Sequence, residues 1–240
     1  MAALLILEVD RLRTARIRWS VLFIALSLLA TAVGLRAKYN AKVSQLTIKE
    51  LDGMPKDQAD TRTRLLQAAE KTTYRYGFGN ASIADIAKAA RVPVGNVYFH
   101  FKTKDEIGRA IVAQRVARFK KQLQELDNAE SPRERLCGFV DIKIKNREGL
   151  ARGGCPVGTL CSELQKHGGG AAKKSRVLFA EALAWMEKQF QAMGKGGDSG
   201  AYALHLLSAT QGISLVAHTF HDPTMIAREA ELLKEWIRTI

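Results

Sequence analysis

The chain has 240 residues, 47% of them hydrophobic, with a formal net charge of +13 and three cysteines. That length suits one or two domains with a real core, and the basic balance favours a polyanionic partner without establishing one. An odd, small number of cysteines argues against a disulfide framework and agrees with a reducing cytosol. Val, Ile, Tyr and Phe do not fall in alternating runs, and no internal repeat or low-complexity tract appears. The chain is therefore read as all-α.

The N-terminal part stands apart in composition. Residues 20–35, SVLFIALSLLATAVGL, are uncharged and largely apolar, with Arg11, Arg13, Arg16 and Arg18 on one side and Arg36, Lys38 and Lys42 on the other. One reading is a membrane anchor, although the run is shorter than the ~20 residues usually required. The balanced flanking charge gives no orientation under the positive-inside rule. A second reading is a secretory signal, with Ala30-Thr31-Ala32 as the small-residue cleavage site. Export would separate the segment from the function that the downstream residues indicate.

The segment 82–104, SIADIAKAARVPVGNVYFHFKTK, carries the strongest local signals. Ser82 can cap a helix, and Asp85 three residues later completes a capping box. Ile83, Ile86, Ala87 and Ala90 form one apolar face at i, i+3, i+4 and i+7. Pro93 ends that helix near Arg91 and opens the next, where its missing donor costs nothing. On this short second helix Val97 and Phe101 point to the core. Val94, Gly95, Asn96 and Phe99 then face outward, with Tyr98 and His100 on the flanks. Thr103 and Glu106 form another capping box and start a long third helix. Two helices across a turn of a few residues are the helix-turn-helix pattern.

Such a helix meets the major groove with its exposed face. Asn96 can donate to and accept from a base edge. Val94 and Phe99 offer apolar contact to a thymine methyl, and Gly95 allows close backbone approach. Tyr98, His100 and Lys104 can donate to phosphates, which positions the protein without reading sequence.

Residues 61–112 resemble the N-terminal DNA-binding domain of the TetR family of transcriptional regulators. The matching residues are Ala68-Ala69, Gly77-Phe78, Ser82-Ile83, Asp85-Ile86-Ala87, Val92, Gly95, Val97-Tyr98, His100-Phe101 and Lys104. The resemblance implies that Ser82, Tyr98, His100 and Lys104 hold phosphates and that Val94, Gly95, Asn96 and Phe99 lie near bases. It also implies an all-helical, ligand-sensing and dimerising remainder. Two departures stand out. Arg91 occupies the turn position where the family usually has Gly, which implies left-handed strain. Thr72-Thr73 replace a usual Leu-Phe pair, with Tyr74 and Tyr76 expected to supply the missing volume. The resemblance adds a third reading of the N-terminus, the one favoured here: Met54 opens PKDQADTRTRLLQAAEK, an ordinary start for such a regulator. The expected organisation is an atypical extension over 1–53, a helix-turn-helix domain over 54–105 and a helical effector-binding and dimerisation domain over 106–240.

Beyond Ile107 the helical pattern continues through Ile111, Phe119, Leu123 and Leu126. Ser131 and Pro132 open a further helix with Leu136, Phe139, Val140 and Ile144 on one face. Residues 149–156 read as a loop, 157–166 as a short helix ended by three glycines, and 171–193 as a longer one. After a break over 194–200, with Asp198 or Ser199 as cap, 202–220 and 223–240 form the last two helices. By resemblance these two build a homodimer, with Leu204, Leu207, Gln211, Leu215 and His218 on one and Ile226, Leu233, Trp236 and Ile237 on the other. Two half-sites also answer the short reach of a single recognition helix.

An effector pocket is expected among the helices of 131–190. Phe139, Cys155, Leu160, Leu164, Phe179 and Trp185 are its candidate lining, although helical aromatic stripes more often pack as core. With no charged cluster evident, the effector is expected to be small and mainly apolar or aromatic. The segment GCPVGTL, 154–160, resembles a sensor-domain motif of one subgroup of the family. Cys155 precedes a helix start, where a dipole can lower a thiol pKa. A redox-sensing regulator is thus one alternative, and an activator on the same DNA-binding domain is another. A Cys/His enzyme is the remote one, since no metal site, Walker loop, dinucleotide fingerprint or nucleophile elbow is present in the sequence. The expectation is a cytoplasmic, homodimeric repressor of a double-stranded DNA operator, released by a small-molecule effector and needing no cofactor or metal. If residues 20–35 are a genuine anchor, the alternative is an inner-membrane protein with its DNA-binding domain in the cytoplasm.

Overall fold

Helices account for the regular structure of the computed structural model, which describes residues 56–240, with side chains from residue 60 onward. The apolar run 20–35 and the Met54 start lie outside the described residues. In chain order the helices are α1 (Lys56–Tyr76), α2 (Ile83–Ala90), α3 (Val94–His100), α4 (Lys104–Leu126), α5 (Pro132–Lys145), α6 (Arg147–Gly153), α7 (Pro156–His167), α8 (Gly169–Ala192), α9 (Ser199–Phe220) and α10 (Pro223–Thr239). Among the described residues no helix is long and apolar enough to cross a membrane.

Most boundaries follow from capping chemistry. Ser82 and Ser131 each close a reciprocal capping box, with Asp85 and Glu134 respectively. The box expected at Thr103 is only half formed. Thr103 accepts from the Glu106 N–H, but the Glu106 carboxylate accepts from the N–H of Lys102 at 2.6 Å instead of from Thr103 itself. Neither Asp198 nor Ser199 caps α9 with its side chain; the Ser199 hydroxyl donates back to Gly196 O at 3.2 Å. The expected loop over 149–156 is largely helical. Leu150 and Ala151 give α6 a buried side, so packing overrides the weak propensity of its glycines, and the chain breaks only at Gly154, where φ is +73°.

Two apolar clusters form most of the core. One joins α1–α4 to α7 and α8 through Leu65, Ile86, Val97, Ile107, Leu164 and Leu178. The other gathers Leu136, Met186, Phe190, Leu206 and Ile237 from α5 and α8–α10. The helix-turn-helix thus shares a core with the helices beyond it, and α4 runs through the expected boundary at 105/106. Thr72 and Thr73 are themselves buried, whereas Tyr76 is 53% exposed. The volume expected from Tyr76 is not supplied: the threonines pack in place of the larger pair.

Candidate nucleic-acid interface and sensor core

The turn before α3 is held from two sides. Arg91 has φ 55° and ψ 47°, and its N–H donates to Lys88 O while the Val92 N–H donates to Ala87 O. These are the two bonds of a Schellman motif, closed by arginine where glycine is the unstrained choice. From α1 the Arg64 guanidinium donates to Ala90 O at 2.9 Å and to Arg91 O at 3.3 Å. The left-handed residue is therefore clamped by bonds to its own helix end and to a neighbouring helix.

Held in this way, α3 buries Val97 completely and Phe101 nearly so. Its other side faces outward: Val94, Gly95 and Asn96 are exposed, Phe99 is 62% exposed, and a Cβ added at Gly95 would meet nothing within 4 Å. Tyr98 is exposed on the flank. His100 is half-buried against Phe99, ring centroids 5.3 Å apart, with its Nδ1 buried and unpartnered. Burial first, then the nearby Arg62 charge, holds its pKa below the ordinary histidine value. Arg62 itself lies over the Phe101 ring at 5.0 Å.

The remaining phosphate candidates are engaged within the protein. The Ser82 hydroxyl accepts from the Asp85 N–H at 3.0 Å. The Lys104 ammonium donates to Gly79 O at 2.8 Å and lies 5.1 Å from the Phe78 ring centroid. Burial there lowers its pKa. Lys104 thus bolts the α1–α2 turn to the start of α4.

The six candidate pocket residues do not converge on one cavity. Phe139 and Trp185 stack 6.1 Å apart in the α5/α8–α10 cluster, Leu160 and Leu164 belong to the α1–α4 cluster, Phe179 packs against both, and Cys155 sits in a small third cluster with Leu150 and Ile226. Trp185 also borders an open groove with Asp127, to which its indole donates at 2.9 Å. Cys155 caps α7, its sulfur accepting from the Gly158 N–H at 3.4 Å with the Lys143 ammonium at 3.8 Å. Cys161 is buried, and burial raises its thiol pKa to about 11.

A cavity outside the expectations drawn from the sequence lies between α1, α4 and α7. Its walls include Glu70, Tyr74, Ile111, Arg115, Leu160 and Glu163, so only Leu160 of the six candidates reaches it. The Arg115–Glu70 ion pair closes at 2.9 Å, with side-chain exposures of 13% and 15%. Arg118 pairs with the same Glu70 oxygen. The Glu163 carboxylate accepts from the Phe78 N–H. The Tyr74 hydroxyl sits 3.0 Å from Gly154 O and 3.2 Å from Gly149 O, and burial is the main reason its pKa is raised. The signal for this site was available in α4: Arg115 follows Ile107 and Ile111 at i+8 and i+4, a charge inside an apolar stripe. Its partners, far away in sequence, left no such mark.

Comparisons with known proteins bear on both regions. Residues 65–111 match the family model described as bacterial regulatory proteins, tetR family. Over 180 residues, covering 73% of this chain and 92% of the relative, the sequence is 27% identical to an uncharacterized HTH-type transcriptional regulator in the lacX 3' region of Lactococcus lactis subsp. lactis. The HTH-type transcriptional regulator TtgR of Pseudomonas putida is 38% identical over 53 residues, which span 22% of this chain and 25% of that protein. In fold, the chain is similar to a TetR-family transcriptional regulator from Agrobacterium tumefaciens, with a TM-score of 0.67 at 20% identity, covering 74% of this chain and 97% of that one.

Proposed function

Because the chain belongs to the TetR family of bacterial regulators, we propose that it is a repressor that binds a pseudo-palindromic operator as a homodimer and leaves it when a small-molecule effector binds. The observation that carries the reading is the outward face of α3. Val94, Asn96 and Phe99 stand exposed on a helix whose opposite side is anchored by buried Val97. These apolar side chains flank an amide able to read a base edge. Tyr98, His100 and Lys104 border that face and serve the phosphates, Lys104 after exchanging Gly79 O for a phosphate oxygen.

The dimer uses the outer side of α9 and α10. Leu204, Leu215, Val216, Phe220 and Leu232 are exposed there, Leu215 and Phe220 at 67% each. Exposed apolar side chains on two neighbouring helices fit an isologous contact between two copies. Leu207, Ile226, Leu233 and Ile237, expected at the same interface, are instead buried in their own chain.

Genome-wide mapping of bound DNA supplies the operator, and gel shifts on it test the division of labour. Asn96→Ala should relax sequence preference at one position of each half-site, by about 1–3 kcal/mol of discrimination. Lys104→Ala should weaken all duplexes alike and flatten the salt dependence. If both variants bind operator as the parent does, α3 is not the reading helix.

A further inference from the structure

Arg115 combines a buried ion pair with a buried nitrogen that has no partner. Its guanidinium is largely buried, yet its Nε has no hydrogen-bond partner, and its one carboxylate, Glu70, is shared with Arg118. Two cations thus face one anion at the wall of a cavity. The other acid there, Glu163, is turned to the Phe78 N–H. Burial pulls Arg115 below the ordinary arginine pKa, and Glu70 only partly offsets this. A buried donor of this kind costs free energy until an acceptor reaches it.

We infer that this cavity is the effector site and that it takes a small carboxylate, received by Arg115 in place of Glu70. The inference rests on the reading of the chain as an effector-released repressor and names the chemistry of the effector. A carboxylate matches the side-on edge of a guanidinium with two parallel hydrogen bonds. Ile111 and Leu160 on the cavity wall suit a short apolar tail.

The position of the cavity supplies the coupling. Its free volume is about 10 Å³, room for a single water. A carboxylate enters only when α1 separates from α7, so it binds the separated state and leaves the closed one. That difference in affinity is what an effector needs to shift an equilibrium. Glu70 lies on α1, the helix whose Arg64 clamps the turn ahead of α3. Taking Arg115 from Glu70 therefore loosens the element that holds the reading helix.

Propionate is the probe, with propionamide as its neutral analogue and chloride at matched ionic strength, on the full chain without DNA. Propionate should raise the melting temperature where propionamide and chloride do not. Arg115→Gln should weaken propionate binding about tenfold or more, the loss of a charge-assisted bond, while Arg118→Gln keeps it. Glu70→Gln removes the competitor and should tighten propionate binding severalfold, whereas Glu70→Gln combined with Arg115→Gln should not. Equal shifts with propionate and propionamide, or unchanged or weaker binding in Glu70→Gln, overturn the proposal. Should Arg115→Gln fail to fold, Glu70→Gln decides alone. Since no DNA is present, failure here leaves operator binding standing. Loss of operator recognition with propionate binding intact would instead overturn the repressor reading and leave the carboxylate site.

Discussion

Two regions of this molecule position charged and polar groups by opposite means. Around α2 and α3 most of the defining bonds join near neighbours, Ser82 with Asp85, Thr103 with Glu106 and Arg91 with Lys88, with Arg64 and Lys104 adding a few from farther away. Around Arg115 they join residues far apart in the chain: Glu70 with Arg115, Phe78 with Glu163, Tyr74 with Gly154. Locally bonded structure depends less on the placement of distant helices. A site assembled from remote helices exists only while those helices keep their distance, which makes it the natural place for a signal to enter.

The sharpest test of this contrast sets two phenylalanines against each other. Phe190 has no exposed surface, whereas Phe99 is 62% exposed. Phe190→Ala should cost about 3–5 kcal/mol of stability, read by denaturant unfolding. Phe99→Ala should change stability by less than about 0.5 kcal/mol, yet lower operator affinity in a gel shift. A large stability loss at Phe99 would mean that the outward face of α3 is structural after all, and the contrast would collapse.

A smaller effect tests how much strain the reading head carries. Arg91 is left-handed and clamped by Arg64. Arg91→Gly relieves the steric penalty and should stabilise the protein by about 1 kcal/mol, seen as a rise in Tm. If Arg91 also touches a phosphate, the same variant binds every duplex less tightly. Stability and affinity would then move in opposite directions. Parallel changes would assign the arginine to the fold alone.

The same contrast explains what the sequence made legible. The Ser82–Asp85 capping box and the inward Val97–Phe101 pair follow from residues three or four apart, and the structure contains both; the box at Thr103 forms only by half, and the left-handed Arg91 followed from the resemblance. The exposed set Val94, Gly95, Asn96 and Phe99 followed from the same spacing. The pocket did not. Phe139, Leu164, Phe179 and Trp185 carry helical periodicity because they are core, and periodicity cannot tell a core stripe from a cavity wall. Helix α6 was read as a loop because glycines dominate its local propensity, while the packing of Leu150 and Ala151 that forms it comes from distant helices. Lys104 was legible as a cation at the head of α4, but not its bond to Gly79.

The smallest expected effect concerns protons, and it separates the interface from its supporting caps. Burial and the Arg62 charge hold His100 below its ordinary value of 6.5. Above that value the ring is neutral in both folded and unfolded chains and contributes nothing. As pH falls through 6.5 the unfolded chain takes the proton first, so stability declines until the lower folded pKa is passed. Asp85 behaves differently: bonds from Ser82 hold its carboxyl below 3.8, so its contribution is intact above 3.8 and is lost only in stronger acid. Melting curves between about pH 7.5 and 5.5 therefore separate the histidine from Asp85, and His100→Asn should flatten the slope without changing the acid limb below pH 4. If His100 meets a phosphate as proposed, the sign reverses on DNA. A phosphate beside His100 would oppose the burial and Arg62 and raise its pKa, so binding would take up a fraction of a proton. Operator affinity should then rise as pH is lowered over the range in which the free protein loses stability, and in His100→Asn both dependences should shrink together. If stability alone loses its slope, the ring serves the fold, and the phosphate contact assigned to it belongs to a neighbour such as Tyr98.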